Sequence, residues 1–306
     1  MKVAVMGAGS IGCYYGGLLA RAGLPVTLIG RRQHVDAVTE RGLLMDVGGE
    51  QHRVPMPATT EARGVADADL VLFCVKSGDT EAVGREIAPH LRPDVTILSL
   101  QNGVDNPERL EAVVSRTVVP VAVYVATEMA GPGHVRHKGR GDLVMGPSPR
   151  DAEIVARFAA AGVPVQVSDQ AMDALWGKLI VNCAYNALSA LTQLPYGRLL
   201  QMAGVEAVMR DIVAECVAVA TASGVSVAPD ILPAVLGLAR SMATQKSSTA
   251  QDLSRGKPTE IDHLNGIVVR KGAELGIPTP VNRVLVTLVK AVEVARAEDA
   301  GMASAT

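Results

Sequence analysis

Short, nearly continuous apolar runs alternate with longer amphipathic stretches through the first half of the chain. The runs at Val3–Met6, Val26–Ile29, 70–75, 95–100 and 118–126 have the composition of strands buried on both faces. Between and after them, residues 11–22, 33–41, 80–89 and 151–161 place apolar residues at helical spacing, and 163–167 adds a last strand. Strand and helix in alternation predict an α/β fold, a Rossmann-type doubly wound parallel sheet with helices on both faces. Residues 42–47 and 52–56 alternate around Gly48-Gly49 and predict an inserted hairpin. Residues 134–136 and 143–145, separated by glycines and charges, predict a second antiparallel pair.

The pattern changes after Ser168. Helical periodicity runs to the end, with helices predicted at 169–192, 199–223, 233–244, 259–275 and 282–297. Gly224 and Gly276 stand where glycine closes a helix, and Pro278 and Pro280 force a break before the last one. The expected organisation is therefore a Rossmann-type domain over 1–168 and an all-helical domain over 169–306, ending in a disordered tail from Glu298. The apolar positions of the last helix (Val284, Leu285, Val286, Leu288, Val289) suit either an intrachain core or the interface of a homodimer.

Composition narrows the classes. A length of 306 residues fits two domains, and 48% hydrophobic residues are enough for both cores. Twenty-nine basic residues against 31 acidic ones leave no basic surface for nucleic acid, and 3% aromatics leave no stacking platform for single strands. Four scattered cysteines without a Cys-x-x-Cys pair fit reduced thiols in a cytoplasmic protein. No leader pattern precedes the first strand, and the apolar run at 118–126 is too short to span a bilayer.

The first strand runs directly into Gly7-Ala8-Gly9-Ser10-Ile11-Gly12 and an apolar helix. Strand, Gly-x-Gly-x-x-Gly and helix together form the dinucleotide-binding fingerprint. The first glycine makes the tight turn, the second admits a pyrophosphate to the backbone, and the third lets helix and strand pack closely. The helix N-terminus offers unpaired N–H groups to the phosphates. At the end of the second strand, where an NAD-binding chain carries a carboxylate for the ribose 2′-hydroxyl, this one reads Gly30-Arg31-Arg32. A guanidinium suits a 2′-phosphate, so Arg31 points to NADP(H). Lys76 follows the strand at 70–75 on the ligand-binding edge, either as a cofactor contact or as an exposed lysine. Asn102-Gly103 turns the chain after the strand at 95–100 on the same edge.

In the helical half, Lys178, Asn182 and Asn186 recur every fourth residue in an otherwise largely apolar stretch, so they share one helix face. Such a stripe is unfavourable in a buried helix unless it meets a ligand or water. Glu260 lies in the first turn of the predicted helix at 259–275, and Ser247-Ser248 opens a polar segment between helices. His134 and His137 lack a nearby carboxylate pair, so no metal site is expected. No serine has an adjacent activating base, which removes hydrolase chemistry.

Taken in order, the GAGSIG turn, Gln101-Asn102-Gly103, the Lys-Leu-Ile-Val-Asn-Cys-x-x-Asn helix starting at Lys178, Ser-Ser-x-x-Gln-Asp at 247–252 and Thr-Glu-Ile-Asp-x-x-Asn-Gly at 259–266 resemble the ketopantoate reductase (2-dehydropantoate 2-reductase) family over essentially the whole chain. The resemblance implies NADPH-dependent reduction of a small 2-keto acid, 2-dehydropantoate, to (R)-pantoate on the route to pantothenate and coenzyme A. By resemblance, Lys178 is the general acid, and Glu260 binds the substrate hydroxyl and orients Lys178. Asn102 and Asn182 contact cofactor or substrate, Asn186 supports the pocket, and Ser248 takes the substrate carboxylate. Two positions depart from the family pattern. Tyr196 replaces the asparagine of a Pro-Asn-Gly turn, and Gln245 replaces another substrate-side asparagine. They leave a related 2-keto acid reductase or 3-hydroxyacid dehydrogenase as an alternative, beside a non-catalytic NADPH sensor.

Overall fold

The computed structural model describes residues 1–304, with side-chain surroundings through residue 298. Two compact units result, Met1–Ala174 and a second starting at Leu175.

The first unit runs β1 (Val3–Met6), α1 (Ser10–Arg21), β2 (Val26–Ile29), α2 (Arg32–Arg41), β3 (Leu43–Val47), β4 (Glu50–Val54), β5 (Ala58–Thr59), β6 (Leu70–Phe73), α3 (Thr80–Ile87), β7 (Thr96–Ser99), α4 (Asn106–Val114), β8 (Val118–Gly131), β9 (His134–Met145), α5 (Asp151–Ala160) and β10 (Val165–Val167). Its sheet has the order β4-β3-β9-β8-β7-β6-β1-β2-β5, with β10 alongside β9. Strands β5, β2, β1, β6, β7 and the start of β8 are parallel neighbours. The chain moves outward from β1 to β2 and then returns to the other side of β1 at β6. That reversal opens a ligand crevice at the carboxyl ends of β1 and β6.

Burial explains why these strands are apolar throughout. Val3 and Val5 face a core with Tyr15 and Leu19 of α1 and Phe158 of α5. Ala4 and Met6 face a second core with Ile87 of α3 and Leu110 and Val114 of α4. Alternate residues of one strand thus serve two cores, as the doubly wound arrangement requires. The Gly48-Gly49 hairpin is present, joining β3 to β4 in antiparallel register with both glycines at positive φ.

The expected pairing of 134–136 with 143–145 is corrected. Both segments belong to the single strand β9, which pairs along its length with β8. The intervening Gly139, Arg140 and Gly141 have φ of 150°, 57° and 154° and accommodate register shifts rather than a turn. Helix α4 is an addition to the sequence reading. It starts at Asn106-Pro107, with proline in the first turn where its missing N–H is harmless.

The second unit is helical: α6 (Ala171–Thr192, within which the division falls), α7 (Tyr196–Leu199), α8 (Val205–Ala222), α9 (Ile231–Ser241), α10 (Ser248–Ser254), α11 (Asn265–Leu275) and α12 (Pro280–Ser304). Helices α8, α11 and α12 pack on one another. The helix predicted at 199–223 begins only at Val205, after α7 and a turn that ends at Gly204, which has a φ of +84°. The helix predicted at 259–275 begins only at Asn265, after a 3-10 turn at Ile261–His263. Glu260 therefore precedes that turn and does not lie in a helical first turn. The polar segment at 247–252 forms α10, capped by the Ser247 side chain, which accepts from the Ala250 N–H. On α12, Leu285 and Val289 are buried, whereas Val284 and Leu288 are exposed. The helix covers most of the expected disordered tail; residues 305 and 306 lie outside the described residues.

Candidate active site

At the crevice of the first unit, the three fingerprint glycines meet different constraints. The Gly7 N–H donates to the Ile29 carbonyl at 2.9 Å, and its φ of +113° excludes most side chains. A Cβ there would lie 2.8 Å from the Cys74 carbonyl carbon and 2.9 Å from the Val75 nitrogen. Glycine thus lets the segments after β1 and β6 lie side by side. At Gly12 a Cβ would overlap the Gly7 carbonyl oxygen and stand 2.8 Å from Cγ1 of Val5, so glycine permits α1 to pack on β1. At Gly9 a Cβ would meet nothing within 4 Å. Gly9 is exposed, and Ser10 and Ile11 are partly exposed, while Ala8 is buried beneath them.

The N-terminus of α1 has no side-chain cap and no acidic residue in its first turn. Open space at Gly9 beside uncapped helix N–H groups is the donor set a pyrophosphate needs, so these residues fit a bound dinucleotide. At the end of β2, a Cβ on Gly30 would overlap that of Ala8. Arg31 and Arg32 follow directly and are exposed, and among the described residues neither has an ion-pair partner. Two unpaired guanidinium groups at a helix start oppose the helix dipole, which an anionic ligand would reverse.

Lys76 and Asn102 lie on two loops tied together by a buried network. Gln101 is 5% exposed; its Nε2 donates to the Val75 carbonyl at 3.2 Å and to the Thr80 hydroxyl at 2.7 Å, and its Oε1 accepts from Ser99 at 3.0 Å. Thr80 donates to Asn106 Oδ1 at 2.9 Å, and Asn106 Nδ2 donates to the Asn102 carbonyl at 2.6 Å. Arg109 extends the network to Glu81 and the Ser77 carbonyl. Every step is a hydrogen bond inside the protein, so the loop bearing Lys76 and the turn bearing Asn102 hold one relative position. Three of the four thiols are held protonated. Burial pushes Cys13 up to about 12, and Cys74 and Cys183 are also raised by burial.

In the second unit, Lys178 and Asn182 are half-buried, and Asn186, on the same face of α6, is only 3% exposed. The polar stripe therefore runs into the interior and is not a solvent face. Several segments converge on its far end. The buried Ser247 hydroxyl donates to the Asn186 carbonyl at 3.2 Å, and the Ser247 N–H reaches the Ser189 hydroxyl. These contacts hold the neighbouring, exposed Ser248 beside the end of the stripe. The Tyr196 N–H donates to the Gln245 carbonyl at 2.9 Å, and its ring packs against Tyr185 at 4.4 Å. Burial raises the Tyr196 phenol, so it stays neutral. The Glu260 segment is clamped on both sides. The Thr259 N–H donates to Glu293 at 2.7 Å, and Lys290 binds the Asp262 carboxylate at 2.7 Å, both from α12. Asn265 then joins the segment to α6 through the Cys183 carbonyl at 3.1 Å.

The structure thus gathers Asn186, Tyr196, Gln245 and Ser248 at one end of α6, and ties the Glu260 segment to its middle. Sequence reading misses the supports: Ser247 as the buried member of its pair, and Asn265, Asn282 and Glu215 as a network. Asn265 stands within the Thr-Glu-Ile-Asp-x-x-Asn-Gly segment, which is the only signal for it. His134 pairs with Asp46 on the neighbouring strand. Among the described residues, no group of three or more metal-ligating side chains is placed to hold a metal ion. Nor is any of their helices long and apolar enough to cross a membrane.

Comparison with known proteins covers both units. The family profile described as ketopantoate reductase PanE/ApbA matches residues 3–150, and its C-terminal counterpart matches residues 170–293. A 2-dehydropantoate 2-reductase of Halobacterium salinarum is 36% identical over 95% of this chain and 98% of its own length. The crystal structure of a PanE/ApbA family ketopantoate reductase from Ralstonia eutropha JMP134 is 56% identical, covers 97% of this chain and 99% of its own, and superposes with a TM-score of 0.95. A D-mandelate dehydrogenase with NADH and anilino(oxo)acetate is 25% identical over 97% of this chain and 99% of its own, with a TM-score of 0.91. With both halves matched in order, the chain belongs to the ketopantoate reductase family, oxidoreductases that use a nicotinamide dinucleotide and act on CH–OH groups.

Proposed function

We propose that this chain reduces 2-dehydropantoate to (R)-pantoate with NADPH, serving pantothenate and coenzyme A synthesis. NADPH supplies the hydride when bound. The Rossmann-type domain, read from the sequence as residues 1–168, would hold it: Gly7, Ala8, Gly9, Ser10, Ile11 and Gly12 at the pyrophosphate, Arg31 at the 2′-phosphate, and Lys76 and Asn102 at the opposite end. The helical unit would hold the keto acid. Reduction of a ketone places developing negative charge on its oxygen, and an ammonium at that oxygen stabilises the charge and delivers the proton. Lys178 is the group of that chemistry on the polar face of α6. Glu260 would orient it and accept the substrate hydroxyl. Asn182 and Asn186 would bind along the same face, and Ser248 would take the carboxylate.

The observation that carries this reading is the polar stripe of α6 entering the interior, with Ser247-Ser248 and the Glu260 segment both fastened to that helix. A sensor would need no proton donor there. The buried Tyr196–Tyr185 pair favours a second reading, a larger or aromatic 2-keto acid, because it puts an aromatic ring where the family pattern has an asparagine. Consumption of NADPH is measured with 2-dehydropantoate, phenylglyoxylate and small aliphatic 2-keto acids. The highest kcat/KM on 2-dehydropantoate is expected. Preference for phenylglyoxylate establishes the second reading, and tight NADPH binding without turnover of any acid overturns both.

A further inference from the structure

A buried chain of polar side chains crosses the second unit and ends on the backbone of α6. Asn265, the first residue of α11, is 0% exposed. Its Nδ2 donates to the Cys183 carbonyl at 3.1 Å and to Asn282 Oδ1 at 2.9 Å. Asn282, also fully buried, donates from its own Nδ2 to Glu215 at 2.7 Å. The same carboxylate accepts the backbone N–H groups of Val281 and Asn282 at 2.8 and 2.9 Å, closing the N-terminus of α12 from α8. Four helices are thereby linked in series: α8, α12, α11 and α6.

Three features set Asn265 apart from an ordinary packing residue. It reaches α6 at Cys183, next to Asn182 and between Lys178 and Asn186. It stands five residues after Glu260, joined to it by the short 3-10 turn, whereas the clamps on Thr259 and Asp262 both run to α12. Its Nδ2 serves two buried acceptors, the Cys183 carbonyl and Asn282 Oδ1, and a leucine of similar size would withdraw the donor from both.

We propose that Asn265 is a positioning residue for the reduction, setting the register of the Glu260 segment against the helix that bears Lys178 and Asn182. Being fully buried, it acts through the Cys183 carbonyl and not on the substrate. This rests on the assignment of Lys178 and Glu260 above. Misplacement of a reacting group by about an ångström can lower a rate on the order of 100-fold.

The test compares wild type, Asn265→Leu, Asn265→Ala and Lys178→Ala by thermal melting, NADPH affinity and steady-state kinetics with 2-dehydropantoate. Asn265→Leu should fold with a lowered Tm, bind NADPH as wild type does, and lose kcat by roughly 10- to 100-fold while KM for the keto acid changes far less. Asn265→Ala gives the same comparison if leucine disturbs the packing. An Asn265 variant with wild-type kcat, beside an inactive Lys178→Ala, overturns this proposal alone. Full turnover by Lys178→Ala overturns the underlying assignment and this proposal with it. Loss confined to KM, or to NADPH affinity, also contradicts it.

Discussion

The two units build their sites from different materials. The first unit uses backbone: an uncapped helix start, an open position at Gly9, and two loops fixed by hydrogen bonds behind them. The second uses side chains projected from one long helix and braced by buried polar contacts. A backbone site tolerates no Cβ where the protein already fills the space, and admits one where the ligand would lie. A side-chain site keeps its fold when a functional group is trimmed, but loses the chemistry. The units should therefore fail in different ways under substitution.

The sharpest contrast lies within the fingerprint. Gly12→Ala places a Cβ against the Gly7 carbonyl and Val5, and should destabilise by about 1–3 kcal/mol or more, read as a fall in Tm. Gly9→Ala places its Cβ in open space in the protein and should lower Tm far less, while weakening NADPH binding roughly 10- to 100-fold, about 1.4–2.7 kcal/mol. Equal Tm losses in the two variants would erase the distinction between a packing glycine and a ligand glycine. Next in size, Arg31→Asp should reduce NADPH affinity by roughly tenfold or more and narrow the gap to NADH, since hydrogen bonds to a charged group contribute about 1.5–3 kcal/mol. Unchanged selectivity between the two cofactors would remove Arg31 from 2′-phosphate recognition.

The smallest effect belongs to the β3–β9 ribbon. A side-chain hydrogen bond from Gln51, followed by those from His134 and Arg136, holds Asp46 at about 2, below its ordinary 3.8. A depressed carboxyl contributes stability above its unfolded pKa and loses it as the pH falls, here between about 4 and about 2. Asp46→Asn should flatten the dependence of Tm on pH in that window and leave turnover at neutral pH unaltered. An identical acid limb in both proteins would show that solvent screens the cluster.

The same contrast explains what the sequence makes legible. Gly7, Gly9 and Gly12 are readable because backbone geometry demands glycine at fixed spacing after a strand. Lys178, Asn182 and Asn186 are readable because helical periodicity puts polar residues together on an apolar helix. Their supports are not, because they follow no period. Asn282 and Glu215 are 67 residues apart and meet only once α8 and α12 pack. Ser247 and Ser248 look equivalent in sequence, yet the structure buries the first as a helix cap and exposes the second. Glu260 misleads in another way. It sits where the first turn of a helix is expected, but the chain makes a 3-10 turn and delays the helix to Asn265. At 134–145, glycines and charges resemble a turn, although pairing with β8 carries the strand straight through them.

On the proposed reading, the first unit binds the cofactor and the second supplies the proton. Single-turnover oxidation of bound NADPH by 2-dehydropantoate, compared between wild type and Lys178→Ala with NADPH affinity measured alongside, tests it most directly. The rate should fall by about 10²–10⁴-fold with affinity for NADPH unchanged. Turnover at the wild-type rate, or a loss traced entirely to weaker NADPH binding, would contradict it.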